Sequence, residues 1–160
     1  MRGHRAAPPA IRSARSGPFR SIRPRRRTPH LRPVDAAVNP SQLVTLAANT
    51  VGAVQRQLPP DIRPLARGVA VHYESRPAAD VVAEGFAPDI LGLFAGDSYA
   101  AGTAYDNPMP PQILLYLDNL WDFAGRDVEV FRDEVRTTYL HELGHYLGWN
   151  EDDLTARGLD

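Results

Sequence analysis

Two histidines and a glutamate near the end of the chain have the types and spacing of a metal site. They lie in TTYLHELGHYLGWNEDD, where H-E-L-G-H occupies residues 141–145. On a helix, at about 100° per residue, His145 lies about 40° from His141 and one turn further along, and Glu142 about 100° from it. Both imidazoles then reach one ion, with the glutamate beside them to accept a proton from water. The pattern predicts metal-dependent hydrolysis.

A catalytic zinc site needs a third protein ligand and keeps one coordination position open. The chain has no cysteine, so we expect a His, Asp or Glu ligand. No histidine follows His145. The acidic residues after it are Glu151, Asp152, Asp153 and Asp160. We favour Glu151, because Gly148 can end the helix and turn the chain back toward the histidines. Asp152 is the alternative, and the ligand set also suits iron, manganese or cobalt.

The histidines belong to a long predicted helix that runs from about Asp127 to Leu147. Asp127 is a favourable N-cap, and Gly148 follows the other end, where a left-handed residue commonly terminates a helix. A leucine stripe at a different angle from the histidines should pack on another helix: Leu140, Leu143 and Leu147. A second set should pack on the sheet: Phe131, Val135 and Thr138.

The elements before this helix predict a small α+β domain. A helix capped by Asn39 or Ser41 runs to about Gln57, with apolar residues spaced by three or four positions. Strands are predicted at 68–75, 91–96 and 112–120. We therefore expect a short sheet of three or four strands, packed on an N-terminal helix and on the C-terminal helix that carries the active-site residues.

Charge divides the chain into a basic arm, residues 1–34, and a folded domain, residues 35–160. The arm has ten arginines and no acidic residue, whereas the domain has eight arginines against nineteen acidic residues, a balance of −11. Proline and the lack of apolar runs predict a disordered, solvated arm. We expect nucleic acid contacts, if any, only through this arm.

No stretch approaches the roughly 20 apolar residues of a membrane span. The chain also lacks the uninterrupted apolar core of a secretory signal. We therefore expect a cytoplasmic location and no membrane partner.

Four segments of the chain resemble the short bacterial metallopeptidases known as minimal zincins. They are LPPDIRPLARGVAVHYESRP, LGLFAG, PPQILLYLDNL and EVRTTYLHELGHYLGWNEDDLTARGL, and the resemblance covers roughly residues 40–160. The family has H-E-x-x-H-x-x-G-x-x-(D/E) near its C-terminus, with the acidic residue as the proposed third ligand. The motif matches His141, Glu142, His145, Gly148 and Glu151. The resemblance implies a compact zincin-like fold and a zinc-dependent hydrolase.

The working hypothesis is peptide-bond hydrolysis with Zn²⁺ held by His141, His145 and Glu151. Glu142 would take the proton of the attacking water and pass it to the leaving amine of a peptide or protein substrate. The donor that stabilises the oxyanion stays open among Tyr116, Tyr105, Tyr146 and Arg136. The strand QILLYL, if it were the sheet edge beside this helix, could pair with an extended substrate. The competing hypothesis is a non-catalytic zinc-binding adaptor with a structural or regulatory role.

Overall fold

The computed structural model describes residues 38–99 and 109–156, without the side chains of Glu151 and Leu154. In chain order its elements are α1 (Pro40–Gln57), α2 (Ile62–Arg67), β1 (Ala70–Glu74), α3 (Ala79–Ala83), β2 (Gly92–Ala95), β3 (Gln112–Tyr116), α4 (Leu117–Phe123), α5 (Val128–Tyr146) and α6 (Glu151–Ala156). This mixture of helices and a short sheet confirms the predicted α+β class. The predicted arm, and the boundary that we place after residue 34, lie outside the described residues.

The three described strands form one mixed sheet in the order β1-β3-β2. β1 runs parallel to β3, with Ala70 opposite Gln112, and β2 runs antiparallel to it, with Gly92 opposite Leu115. The strand predicted at 112–120 ends earlier, because α4 begins at Leu117.

The segment QILLYL does not form the edge of the sheet. Its first five residues form β3, which is the central strand. Its Ile113 and Leu115 are fully buried, and its continuous apolar run suits a strand that is covered on both faces. The edge beside α5 is β2 instead.

Helices α1 and α5 pack against each other, and α5 also lies across β2 and β3. Asn39 caps α1 through a reciprocal pair of hydrogen bonds with Gln42, which fixes where the helix starts. The apolar face of α1 is buried as its spacing predicts: Leu43, Ala47, Val51 and Val54. Leu143 of α5 is buried in the same core, with Leu140 and Leu147 packed at its margin. This core fixes the rotation of α5 about its axis.

Both ends of α5 are set by local hydrogen bonds. The Asp127 carboxylate accepts bonds from the backbone N–H groups of Glu129 and Val130. At the other end Gly148 has a φ of 84°, a left-handed conformation that favours glycine. Its N–H donates to the carbonyl of His145 at 3.0 Å, and the N–H of Trp149 donates to the carbonyl of Gly144 at 2.9 Å. These two bonds form a Schellman motif, and the chain leaves the helix at the predicted position.

A buried asparagine anchors the segment that leads into β2. The amide of Asn119 in α4, only 5% exposed, donates to the carbonyls of Pro88 and Ile90 at 3.0 and 2.8 Å. The guanidinium of Arg76 donates to the Asn119 side-chain oxygen at 2.8 Å and also pairs with Asp122. The hydrogen bond that Arg76 donates to Asp122 holds the pKa of the Asp122 carboxyl below its ordinary value. The start of β2 is thereby tied to α4.

None of the described helices combines the length and apolar character needed to cross a bilayer.

Candidate metal centre

The two predicted histidine ligands converge on one point at the C-terminal end of α5. Nε2 of His141 and Nε2 of His145 are 3.0 Å apart, and the rings are nearly perpendicular, with an interplanar angle of 79°. His141 is buried and His145 is half-buried. The pair therefore offers two ring nitrogens at a partly water-accessible point.

The spacing of these nitrogens fits a zinc ion. Two imidazole nitrogens at tetrahedral positions, with Zn–N distances of about 2.0–2.1 Å, are about 3.3 Å apart. The observed separation of 3.0 Å is within a few tenths of an ångström of that value. Two neutral imidazoles are also a donor set that suits zinc. The assignment of His141 and His145 as ligands remains a prediction, and their geometry is compatible with it.

The predicted third ligand, Glu151, is the first residue of α6, three positions after the turn at Gly148. Its side chain lies outside the described part of the structure. Asn150 caps α6 through a reciprocal pair of bonds with Asp153, whose carboxylate accepts from the Asn150 N–H at 3.1 Å. The alternative ligand, Asp152, is exposed. Among the described side chains no third His, Cys, Asp or Glu completes a metal-binding group, so the third ligand stays a prediction.

The predicted catalytic base, Glu142, is 8% exposed and lies where β2 crosses α5. A Cβ atom added to Gly92 of β2 would lie 2.6 Å from Cγ2 of Thr138 and 3.2 Å from Cγ of Glu142. The strand can approach the helix this closely only because position 92 has no side chain. Gly92 and Thr138 therefore lie beside Glu142, and the region between the outer edge of β2 and the last turns of α5 is called the cleft below.

We expect Gly92→Ala to lower the free energy of unfolding by about 1–3 kcal/mol, because the added methyl overlaps Thr138. Thr138→Ser removes Cγ2 and should restore most of that loss in the double variant. Urea unfolding of both single variants and the double variant measures this coupling. Gly52→Ala in α1 is the control: its Cβ would meet only the tip of Arg56, at 3.5 Å, so it should stabilise the helix. Additive effects of the two substitutions would contradict the close contact.

The outer edge of β2 is unpaired among the described residues and runs beside the turns of α5 that carry Glu142 and Tyr146. The N–H of Tyr116 donates to the carbonyl of Leu91 at 3.0 Å, so alternate residues of the strand direct their backbone groups toward β3. Gly92 and Phe94 then direct theirs toward the free edge. The ring of Phe94 packs on Tyr146, with centroids 5.9 Å apart. The cleft therefore has an available row of backbone donors and acceptors.

The structure separates the four predicted oxyanion donors. Tyr146 is one helical turn beyond Glu142 and contacts the end of β2. Arg136 is exposed and directed toward α1, where its guanidinium lies 3.5 Å from the Gln57 side-chain oxygen. Tyr116 has 0% exposure, which puts its hydroxyl out of reach of a substrate. Tyr105 lies outside the described residues. His72 is exposed on β1.

The buried hydroxyl of Tyr116 has no hydrogen-bond partner among the described residues. Burial, then the charges of Glu74, Glu142 and Asp80, raise its pKa from 10.0 to about 12. We expect Tyr116→Phe to raise the free energy of unfolding by about 1 kcal/mol, since a buried unpaired donor is removed. Peptide hydrolysis should be unchanged. Urea unfolding and a peptidase assay check the two expectations.

The same variant should also reduce the alkaline sensitivity of the protein. A folded-state pKa raised above the unfolded value gives stability that is complete below pH 10.0 and is lost as pH rises toward about 12. The chain has no lysine or cysteine, so the tyrosines dominate the titration of the protein in this pH range.

Tyr139→Phe is the matched control for the change in the free energy of unfolding. The Tyr139 hydroxyl accepts from Gln55 at 3.0 Å, so its loss should destabilise the protein. Stabilisation by both substitutions, or by neither, would contradict the difference in pairing.

Sequence reasoning missed three features of the cleft. Gly92 lies inside the predicted strand 91–96, where an isolated glycine can signal a close backbone approach. The buried Asn119 gave no sequence signal, because its partners are carbonyls about 30 positions away. A cavity beside Tyr146, formed by residues on both sides of segment 100–108, was also missed.

Comparison with protein families agrees with this arrangement. The family model described as zincin-like metallopeptidase matches residues 66–159, which is more than half of the chain. The match includes β1, β2, β3, α5 and α6, the elements that form the cleft. No curated protein sequence matches the chain. The extent of the family match shows that the chain belongs to the zincin-like metallopeptidases.

Proposed function

We propose that the protein is a zinc-dependent peptidase whose ligands are His141, His145 and Glu151 and whose base is Glu142. The observation that carries the proposal is the convergence of the two Nε2 atoms, 3.0 Å apart, next to a buried glutamate. Membership of the zincin-like metallopeptidases supports hydrolysis and zinc dependence. A structural zinc site has no need of a glutamate between the two histidines.

Each of these four residues has a distinct role in the proposed reaction. The histidines and Glu151 hold the ion, which when bound supplies Lewis acidity toward a peptide carbonyl and lowers the pKa of water. Glu142 accepts a proton from the attacking water at a carboxylate oxygen and delivers it to the leaving amine. Burial excludes bulk water from Glu142, which strengthens its interaction with the developing charge.

The free edge of β2 is the proposed binding surface for the substrate backbone. Gly92 and Phe94 direct their N–H and C=O groups outward, so an extended peptide can add to the sheet as a further strand. Such a peptide would pass the turns of α5 that carry Glu142 and Tyr146. The backbone pairing is independent of sequence, which leaves side-chain pockets to determine specificity.

Removal and return of the metal test the proposal. The purified full chain should cleave members of a mixed peptide library, lose that activity with a chelator and regain it with Zn²⁺. Zinc should also raise the unfolding temperature, because it binds the folded chain. Hydrolysis that persists after complete zinc removal would contradict the proposal. Zinc bound without cleavage of any peptide would favour the non-catalytic adaptor instead.

A further inference from the structure

A cavity of about 300 Å³ lies where β2 ends, beside the proposed catalytic cleft. Its walls are Asp97, Ser98, Tyr99 and Tyr146, together with the segment 109–111. Tyr146 follows the half-buried His145 directly in sequence. Its ring packs on Phe94 at 5.9 Å and on Tyr99 at 6.1 Å. Tyr146 therefore contacts β2 and also forms part of the cavity wall.

The walls combine apolar surface with one carboxylate. The rings of Tyr99 and Tyr146 and the segment Met109–Pro110–Pro111 provide a surface for an aliphatic or planar group. Asp97 is fixed against this segment: its Oδ2 accepts from the Met109 N–H at 3.2 Å, and its own N–H donates to the Met109 carbonyl at 3.4 Å. The acidic group therefore has a defined position in the wall.

The Asp97 carboxylate retains capacity for a cation. An ionised carboxylate has about four acceptor positions, and the bond from Met109 uses one. In the ranges 38–99 and 109–156 no arginine forms an ion pair with Asp97. The acidic balance of residues 35–160 also favours a positively charged ligand. A ligand with an apolar stem and a cationic tip matches both features of the wall.

We infer that this cavity binds a basic side chain of the substrate, arginine in preference to lysine. The inference rests on the proposed function and specifies its substrate class. A guanidinium can stack on a tyrosine ring while it donates to a carboxylate, which a lysine ammonium does less well.

Peptide binding to the zinc-loaded Glu142→Gln variant tests the inference without substrate turnover. Blocked hexapeptides of alanine carry one arginine at each position in turn, and matched peptides carry citrulline, the neutral isostere. At one position the arginine peptide should bind roughly tenfold more tightly than its citrulline partner, as a charge-assisted hydrogen bond predicts. Equal affinities at every position would overturn the inference.

Adding Asp97→Asn should abolish the preference for arginine over citrulline. The asparagine side-chain oxygen can still accept from Met109, so the wall keeps its shape. Asp61→Asn, an exposed change at the start of α2, is the charge control and should leave the preference intact. Tyr99, 59% exposed, can be truncated to alanine with little effect on folding, and this change should weaken binding of both peptides. A preference for arginine that survives Asp97→Asn would overturn the assignment of the carboxylate.

These outcomes separate the cavity from the proposed function. Hydrolysis of peptides by the wild-type chain without any preference for arginine would refute the cavity inference and leave the peptidase intact. Selective arginine binding that depends on Asp97, in a chain that cleaves no peptide, would support the cavity and refute the peptidase.

Discussion

Glu142→Gln is expected to reduce peptide hydrolysis by about 10²- to 10⁴-fold, because a glutamine cannot accept the proton of the attacking water. Glutamine has nearly the same shape as glutamate, so the contact with Gly92 should be kept and folding should be unaffected. Zinc content should equal that of the wild type, since the base is not a proposed ligand. Metal analysis, a peptidase assay and thermal unfolding of the same preparation measure the three quantities.

Glu134→Gln is the matched control for this variant. Glu134 is a partly buried carboxylate on the same helix, about two turns before His141, and burial raises its pKa. Its replacement should leave both zinc content and hydrolysis unchanged. Full activity in Glu142→Gln would show that Glu142 is not the catalytic base. Loss of zinc together with activity would instead show that Glu142 is needed to assemble the site.

The parts of the fold that the sequence predicts well are those fixed by local interactions. Asn39 and Asp127 cap α1 and α5 at the expected positions, and Gly148 ends α5 with a positive φ. Each of these signals acts over three or four residues, so a single chain reveals them. The position of the two histidines on one face of α5 also follows from helix geometry alone. For the same reason the amino-acid sequence is sufficient to place the helix that carries the site.

The features that the sequence did not reveal depend on partners far along the chain. Position in the sheet depends on which strands pair, and a short apolar run is compatible with either a central or an edge strand. In the structure β3 is the central strand, and the sheet edge beside α5 is β2. The close packing of Gly92 on Thr138, 46 positions later, is equally non-local. The cleft is thus a local motif placed by long-range packing.

Glu151→Ala is expected to weaken zinc binding by more than about 100-fold, a larger effect than the loss of a residue that only orients a ligand. The proposed role is that of the third ligand, and two imidazoles alone hold the ion poorly. Asp152→Ala, a change at the neighbouring exposed carboxylate, should alter the affinity little. Competition with a chromogenic chelator gives the zinc affinity of both variants and the wild type at one pH.

Asp153→Asn is a further control, because it removes a carboxylate from this segment and keeps the turn at the start of α6. Its side chain accepts from the Asn150 N–H at the start of α6, and an asparagine oxygen can keep that bond. This variant should keep both zinc affinity and α6. A large loss in Asp152→Ala with little loss in Glu151→Ala would assign the third ligand to Asp152. Comparable small losses in both would show that neither carboxylate is a ligand, because the loss of a direct ligand should weaken zinc binding strongly.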